Sequence, residues 1–471
     1  MLLRHGLQFI VAIVLARILS PEEFGTIALL YLFTGLASAL VDGGFSVALI
    51  RDRETTQADE STVFWINVIL GLVVSAALGL SAGLIASFYQ SPILEVLTWV
   101  MAANVLLAAL GSIHSTLLTK ALNFRVQLKI GAFAAIVSGA IAIWLAWLGF
   151  GVWALAAQTL AATASTTLLL WWAHEWRPSR EFSAASARRL FKFGGFLLAS
   201  SILDIVYTRF YTVLIGRMFG VRELGYYGRA DAIKQLPVGV LSGILSRVAF
   251  PIFAAAANDP AQLRRGVQLS VRGMMLLNLP MMIGLAAIAE PALITLLGEK
   301  WLPAAPIMQV LCLAGVFWPL HVINLNVLLA QGHSGLFFRL EVVKKCLGIA
   351  LLGVGTFFGV MGIAWSTVAF GVIAFGINAH YSKKFLGYGA LAQVKDFAPI
   401  AGVSAAMGIL VALASSVWSP LPALESLALS VLGAGIYITL LAGFCIQAFH
   451  DAIGLYAAHS LGRKAPEVIG Q

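Results

Sequence analysis

The run FWINVILGLVVSAALGLSAGLIASF, Phe64 to Phe88, contains no charged residue. As a helix it would be roughly 37 Å long, more than the ~30 Å hydrocarbon core of a bilayer. Similar runs fill a chain of 471 residues that is 60% hydrophobic and only 11% charged. A soluble domain carries roughly 25% charged residues, so this composition leaves too little polar surface for one. In lipid each segment must satisfy its own backbone hydrogen bonds, which makes the spans helices. The expectation is an all-α polytopic membrane protein.

Hydropathy and punctuation predict about 14 transmembrane helices: 3–20, 24–50, 62–88, 92–119, 128–148, 150–173, 190–219, 224–254, 270–297, 303–331, 339–358, 360–382, 397–418 and 424–448. The splits at Gly149–Gly151 and at Gly359 read long apolar runs as helix pairs joined by tight turns. The opening MLLRHGLQFIVAIVLARIL lacks a small-residue cleavage site before a soluble domain, so it reads as a short first span and not a signal peptide. Arg and Lys test the count. With both termini cytoplasmic, 22 of the 30 fall in inside segments, including RDRETTQADE, HEWRPSREFSAASARRLFK and SKKFLGYGALAQVK. The outside turns YQSP, LGFG, FFG and WSPLP have none, as the positive-inside rule requires. Orientation and anionic inner-leaflet lipid account for the net charge of +9, with no nucleic-acid partner. RRLFK before the seventh span reads as a short interfacial helix.

The chain repeats itself. LARILSPEEFGTIAL from Leu15 aligns with LIGRMFGVRELGYYG from Leu214, pairing Arg17 with Arg217, Glu23 with Glu223 and Gly25 with Gly225, each 200 residues apart. FGVWALAAQTLA at Phe150 echoes FGVMGIAWSTVA at Phe358. A spacing of six spans gives two parallel bundles related about the membrane normal, an arrangement suited to alternating access. The predicted organisation is a six-helix lobe over 1–176, a cytoplasmic linker over 177–189, a second six-helix lobe over 190–386, two additional helices over 387–450 and a cytoplasmic tail over 451–471. No ring of charges or repeated filter suggests a channel.

Charges in or near spans are the functional candidates, because they are costly in lipid and tend to face a cavity or one another. They are Arg17, Asp42, Asp204, Arg209, Arg217, Arg229, Asp231, Lys234, Arg247 and Glu290. Arg17 and Arg217 sit near outer helix ends, where Arg snorkels, and with Glu23 and Glu223 they suit a structural role in the repeated turn. Arg209 is deeper. Asp231 and Lys234, three apart, can pair; Arg229 and Lys234 are the better anion-binding candidates, and Arg247 either binds substrate or meets lipid phosphates. Asp42, beside a diglycine, suits a proton or sodium coupling site or a counter-charge. Asp204, Asp231 and Glu290 are further coupling candidates, and Glu290-Pro291 marks a helix break. Cys312, Cys346 and Cys445 lie far apart in apolar runs and read as small core residues with no disulfide or metal role. There is no Gly-Lys-Ser/Thr phosphate loop, no two-His metal helix and no loop large enough for a catalytic site, so the chain reads as a non-enzyme without cofactor.

The segment Val14 to Arg51, with Ile215 to Ala230 and Gln235 to Ala254, resembles the Wzx-type O-antigen and exopolysaccharide flippases, the polysaccharide branch of the multidrug/oligosaccharidyl-lipid/polysaccharide exporter superfamily. The likeness runs to about residue 450, although the first helix is abbreviated against the family pattern. The resemblance implies a V-shaped pair of six-helix lobes around a cationic cavity, with the last two helices helping to receive a lipid tail. It implies an undecaprenyl-diphosphate-linked oligosaccharide as substrate, with Arg209, Arg229 and Lys234 meeting the diphosphate. It also implies a bacterial inner-membrane location, membrane lipids as surroundings, and a polysaccharide polymerase and chain-length regulator as partners. Drug/cation antiport, lipid II flipping and a non-transporting assembly scaffold are the alternatives.

Overall fold

A computed structural model describes residues 2–52, 54–257, 259–417 and 422–443. All regular structure among them is helical. Ten helical stretches among the described residues are long and apolar enough to cross a membrane, and two shorter apolar helices, Gly6–Ile18 and Ala428–Ala442, accompany them. The chain divides into two compact units, Met1–Gly228 and Arg229–Gln471.

The first unit contains α1 (Leu2–Ile18), α2 (Pro21–Asp42), α3 (Phe45–Arg51), α4 (Gln57–Leu80), α5 (Ala82–Tyr89), α6 (Ile93–Lys120), α7 (Phe124–Trp147), α8 (Val152–Ala173) and α9 (Ala184–Met218). α6 packs against α4 and α8, α7 against α8 and α1, and α2 against α4, α6 and α9. Helix α4 shows why. Its buried face is the four-residue stripe Val63, Asn67, Gly71 and Ser75, continued by Gly79, whereas Leu72, Val73 and Leu80 are exposed. Small residues let helices approach where no hydrophobic force separates protein from lipid. A Cβ on Gly71 would lie 2.6 Å from the Ala109 Cβ, and the Ser75 hydroxyl donates to the Ala102 carbonyl at 2.5 Å.

α10 (Val221–Ala255) carries the chain into the second unit. There follow α11 (Pro260–Ala287), α12 (Ala289–Leu297), a 3-10 turn (Glu299–Ala304), α13 (Ala305–Gly315), α14 (Trp318–Ala330), α15 (Ser334–Thr356), α16 (Gly359–Leu386), α17 (Ala390–Val417) and α18 (Pro422–Gly443). α16 packs against α13, α14 and α15, while α17 and α18 fold back on α11 and α12. A buried polar hub ties α17 down. The Asn324 amide donates to Gln393 Oε1 at 3.0 Å, the Gln393 amide returns a bond to Asn324 Oδ1 at 2.8 Å, and Ser382 donates to the same oxygen at 2.6 Å. All three residues are fully buried. At its edge Tyr388 donates to Asp396, 2.6 Å away, which also pairs with Arg272 at 2.7 Å; burial, then the hydrogen bond to Asp396, raises the Tyr388 phenol.

Both glycine splits occur as read. Gly149 and Gly151 separate α7 from α8, and Gly359 opens α16, each with positive φ. Exposed Trp147 and Phe357 mark the two equivalent turns, as aromatic residues do at a membrane interface. Other expectations change. The 24–50 segment is broken at Gly43–Gly44, both left-handed, because two glycines accept that backbone without a Cβ clash. The 62–88 segment breaks at Ser81, while the break expected at Glu290-Pro291 is present, centred on Ile288. RRLFK is no separate interfacial helix, since α9 runs unbroken from a Ser183 N-cap through Met218. Basic residues Arg339, Lys344 and Lys345 lie within α15, inside the expected 339–358 span, where Lys344 is buried and paired with Glu341 at 2.5 Å. Cys312 is buried but Cys346 is exposed, because an apolar run does not distinguish a protein-facing from a lipid-facing position. Cys445 lies outside the described residues.

Candidate functional site

The repeated turn is built twice and meets itself. In the first copy Ser20 and Glu23 form a capping box: Glu23 accepts from the Ser20 amide at 2.6 Å and Ser20 caps the Glu23 amide. Glu23 is therefore used for helix initiation. In the second copy Gly220, with φ of 90°, stands where Ser20 stands, and Glu223 occupies the first turn of α10, where an acid suits the helix dipole. Arg17 and Arg217 are exposed in the last turns of α1 and α9, and the Arg217 guanidinium lies 5.4 Å from the Phe88 ring centre.

The two turns cross within the first unit. A Cβ on Gly25 would overlap the Val221 carbonyl, and a Cβ on Gly225 would overlap the Pro21 carbonyl. Residues 21 and 221 are themselves equivalent in the repeat, so the contact is reciprocal. Glu22 pairs with Arg222, another equivalent pair of positions. Gly25 and Gly225 thus permit two helix starts to touch backbone to backbone. Sequence comparison finds the glycines; only the coordinates show that they face each other.

The remaining candidates belong to different units. In the first, Arg209 is exposed on α9 with its guanidinium 6.0 Å from the Tyr31 ring centre on α2, and Asp204 is exposed one turn earlier. Asp42 ends α2 at the diglycine break and accepts a hydrogen bond from Ser46. In the second, Arg229 is half-buried on α10. Lys234 pairs with Asp231 at 2.6 Å, and its stem runs past Gly315 of α13. Its side chain is only 12% exposed. The anticipated i,i+3 pair is therefore present. Glu290 is exposed in the first turn of α12, just after the break at Ile288. The side chain of Arg247 lies outside the described residues. No group of three or more His, Cys, Asp or Glu suited to a metal occurs among the described residues.

Sequence reading missed the polar cluster around Asp42. Its signal was the four-residue spacing of Ser112 and Thr116 on α6. These residues place hydroxyls on one helix face. Thr116 reaches Ser46 at 2.8 Å, and the Asn67 amide lies 3.4 Å from the Ser112 hydroxyl.

Residues 14–306 match the family model described as polysaccharide biosynthesis protein. The chain is 30% identical over 384 residues to the teichuronic acid biosynthesis protein TuaB of Bacillus subtilis, covering 80% of this chain and 79% of that one. It is 29% identical over 360 residues to the lipopolysaccharide biosynthesis protein WzxC of Escherichia coli, covering 74% and 72%. In three dimensions it is similar to the lipid II flippase MurJ in an inward closed conformation, with a TM-score of 0.76, 15% identity, and coverage of 96% and 98%. At that identity the likeness concerns the fold. The chain belongs to the polysaccharide biosynthesis protein family, with the lipopolysaccharide biosynthesis protein WzxC among its relatives and an all-helical fold similar to that of MurJ.

Proposed function

We propose that the protein translocates undecaprenyl-diphosphate-linked oligosaccharide repeat units across the bacterial inner membrane by alternating access, for O-antigen, capsule or exopolysaccharide synthesis. The family match over residues 14–306 carries this reading. Fourteen spans, both termini cytoplasmic, form two parallel six-helix lobes in a V plus two C-terminal helices. The N-terminal lobe occupies 1–176 and the second 190–386, joined by a linker over 177–189. The two additional spans occupy 387–450, and the tail 451–471. The sugar and diphosphate cross while the polyprenyl tail stays in lipid. Arg209, Arg229, Lys234 and Arg247 supply positive charge for the diphosphate; Arg can donate several charge-assisted hydrogen bonds to phosphate. A proton or sodium gradient supplies direction through carboxylates drawn from Asp42, Asp204, Asp231 and Glu290. A polymerase and chain-length regulator receive the translocated units.

Reconstitution with defined polyprenyl-diphosphate sugars tests the reading. Headgroup movement is expected, and Arg229→Ala should slow it roughly tenfold or more, the scale of a hydrogen bond to a charged group. Movement of cationic drugs, of lipid II alone, or of nothing under any ion gradient would replace it with antiport, lipid II flipping or a scaffold. Lys234 needs a paired comparison, because its loss strands Asp231. If Lys234 serves the substrate, the Lys234→Ala/Asp231→Ala double variant should transport no better than Lys234→Ala. Recovery in the double variant would confine Lys234 to neutralising Asp231.

A further inference from the structure

The Asp42 cluster has the parts of a cation site. Helix α2 stops at Asp42, and Gly43 and Gly44, with φ of 56° and 76°, turn the chain into α3. A helix end leaves its last carbonyls without amides from a following turn and presents the negative end of the dipole. Asp42 adds a carboxylate at that end. Ser46, the first-turn residue of α3, donates to Asp42 Oδ1. Thr116 of α6 lies 2.8 Å from the Ser46 oxygen and 3.0 Å from the Ser112 carbonyl. The Ser112 hydroxyl lies 3.4 Å from the Asn67 amide nitrogen of α4. Asn67 is fully buried, and its Oδ1 has no hydrogen-bond partner.

Residues on four helices are therefore linked in one run of polar contacts, from the Asp42 carboxylate at the C-terminus of α2 through the Ser46 and Thr116 hydroxyls to Ser112 and the fully buried Asn67, whose Oδ1 has no hydrogen-bond partner. The carboxylate, the hydroxyls and Asn67 Oδ1 are oxygen ligands, the preference of hard cations. A single formal negative charge matches a monovalent ion better than a divalent one. Broken helices in transporters hold sodium in this way, through half-helix C-terminal ends and unwound carbonyls. An unfilled Asn67 carbonyl in a membrane interior is costly, and an ion bound there would satisfy it.

We propose that Asp42, Ser46, Ser112, Thr116 and Asn67 form a sodium site. The break that carries it also bears on α9. A Cβ on Gly194 of α9 would lie 2.8 Å from the Gly44 carbonyl oxygen, and one on Gly44 would overlap the Gly194 carbonyl. Ion occupancy sets the geometry of the diglycine, and the diglycine touches the α9 backbone directly. α9 also carries Asp204 and Arg209, so the contact connects the ion to a helix of the proposed substrate path.

This deepens the transport reading by giving an ion gradient a place to act. Binding can be tested without substrate, so its failure leaves the transport reading standing. Purified full-length protein in lipid nanodiscs is titrated with sodium against potassium or choline at constant ionic strength and pH. The readouts are the thermal unfolding midpoint and equilibrium binding of radioactive sodium. Wild-type protein should show saturable, sodium-selective stabilisation and binding. Asp42→Asn should abolish both, and Thr116→Val and Asn67→Leu should weaken binding tenfold or more. Ser46→Ala keeps the carboxylate and should bind measurably but more weakly, which separates lost ligation from misfolding. Wild-type protein with no sodium-selective response, or Asp42→Asn binding sodium as tightly as wild type, would overturn the site. So would a response that follows only pH, which would make the cluster a proton site.

Discussion

Replacing Gly25 by alanine is expected to separate the starts of α2 and α10. A single added methyl would overlap the Val221 carbonyl, which is backbone and has no rotamer to move. The same Cβ would lie 3.1 Å from the Gly225 amide nitrogen, so the strain falls on both helix starts. Overpacking costs about 1–3 kcal/mol even where side chains can shift, and a backbone obstacle gives the upper end of that range. Gly225→Ala should behave alike, because its Cβ meets the Pro21 carbonyl in the mirrored contact. Cysteines at Glu22 and Arg222, in a chain whose three native cysteines are replaced, measure the separation. Those positions are joined by an ion pair. Oxidation should cross-link them efficiently in the parent and at least severalfold less in either alanine variant. Equal cross-linking in all three would show that the glycines are not required for the contact. The exposed ion pair itself contributes little energy, so Glu22→Gln should leave cross-linking of other nearby positions almost unchanged.

Asn324→Leu should be the most damaging single change to the second unit. It removes both halves of the reciprocal amide pair with Gln393 and the acceptor of Ser382. Gln393 keeps a bond from its amide to the Tyr388 carbonyl at 3.2 Å but loses the partner of its carbonyl oxygen. At about 1–3 kcal/mol per stranded buried group, the loss is about 2–6 kcal/mol. A fall of roughly 4–24 °C in the unfolding midpoint follows for a unit of this size. The triple variant with Gln393→Leu and Ser382→Ala should recover much of the loss, since it removes the partners of the hub together and leaves only the Tyr388 carbonyl without its bond from Gln393. A midpoint unchanged by Asn324→Leu, or no recovery in the triple variant, would show that the amide pair does not hold α17 in place.

Much of the fold is legible locally. Gly149–Gly151 and Gly359 mark helix starts because their positive φ values exclude ordinary side chains. Ser20 and Glu23 announce the start of α2 by the capping-box spacing. Asp231 and Lys234 are visible as a pair because three residues return a helix to nearly the same face. Helix breaks inside apolar runs are harder to see. Ser81 interrupts a helix without a proline or glycine at the break, and hydropathy continues across it, whereas Pro291 signals the break at Ile288.

The candidate sites are legible only in part. Unusual charge draws attention to Asp42, Arg209, Arg229 and Lys234. It says nothing about Asn67, whose importance lies in complete burial with an empty carbonyl. A membrane helix is apolar all round, so its sequence does not reveal which face meets protein and which meets lipid. Cys346 and Cys312 illustrate the point: one is exposed and the other buried.

The sequence by itself determined that the chain is a helical membrane protein, that its repeat brings Arg17, Glu23 and Gly25 back 200 residues later, and where its principal turns fall. These follow from hydrogen-bond satisfaction in lipid and from local backbone sterics. Tertiary structure alone decided that Gly25 faces Val221, that Gly44 presses on Gly194, and that a run of polar contacts links Asp42 through Ser46 and Thr116 to the helix that meets Asn67. Those are contacts between residues up to 200 positions apart, set by which small residues allow close approach, and local sequence carries no record of the partner.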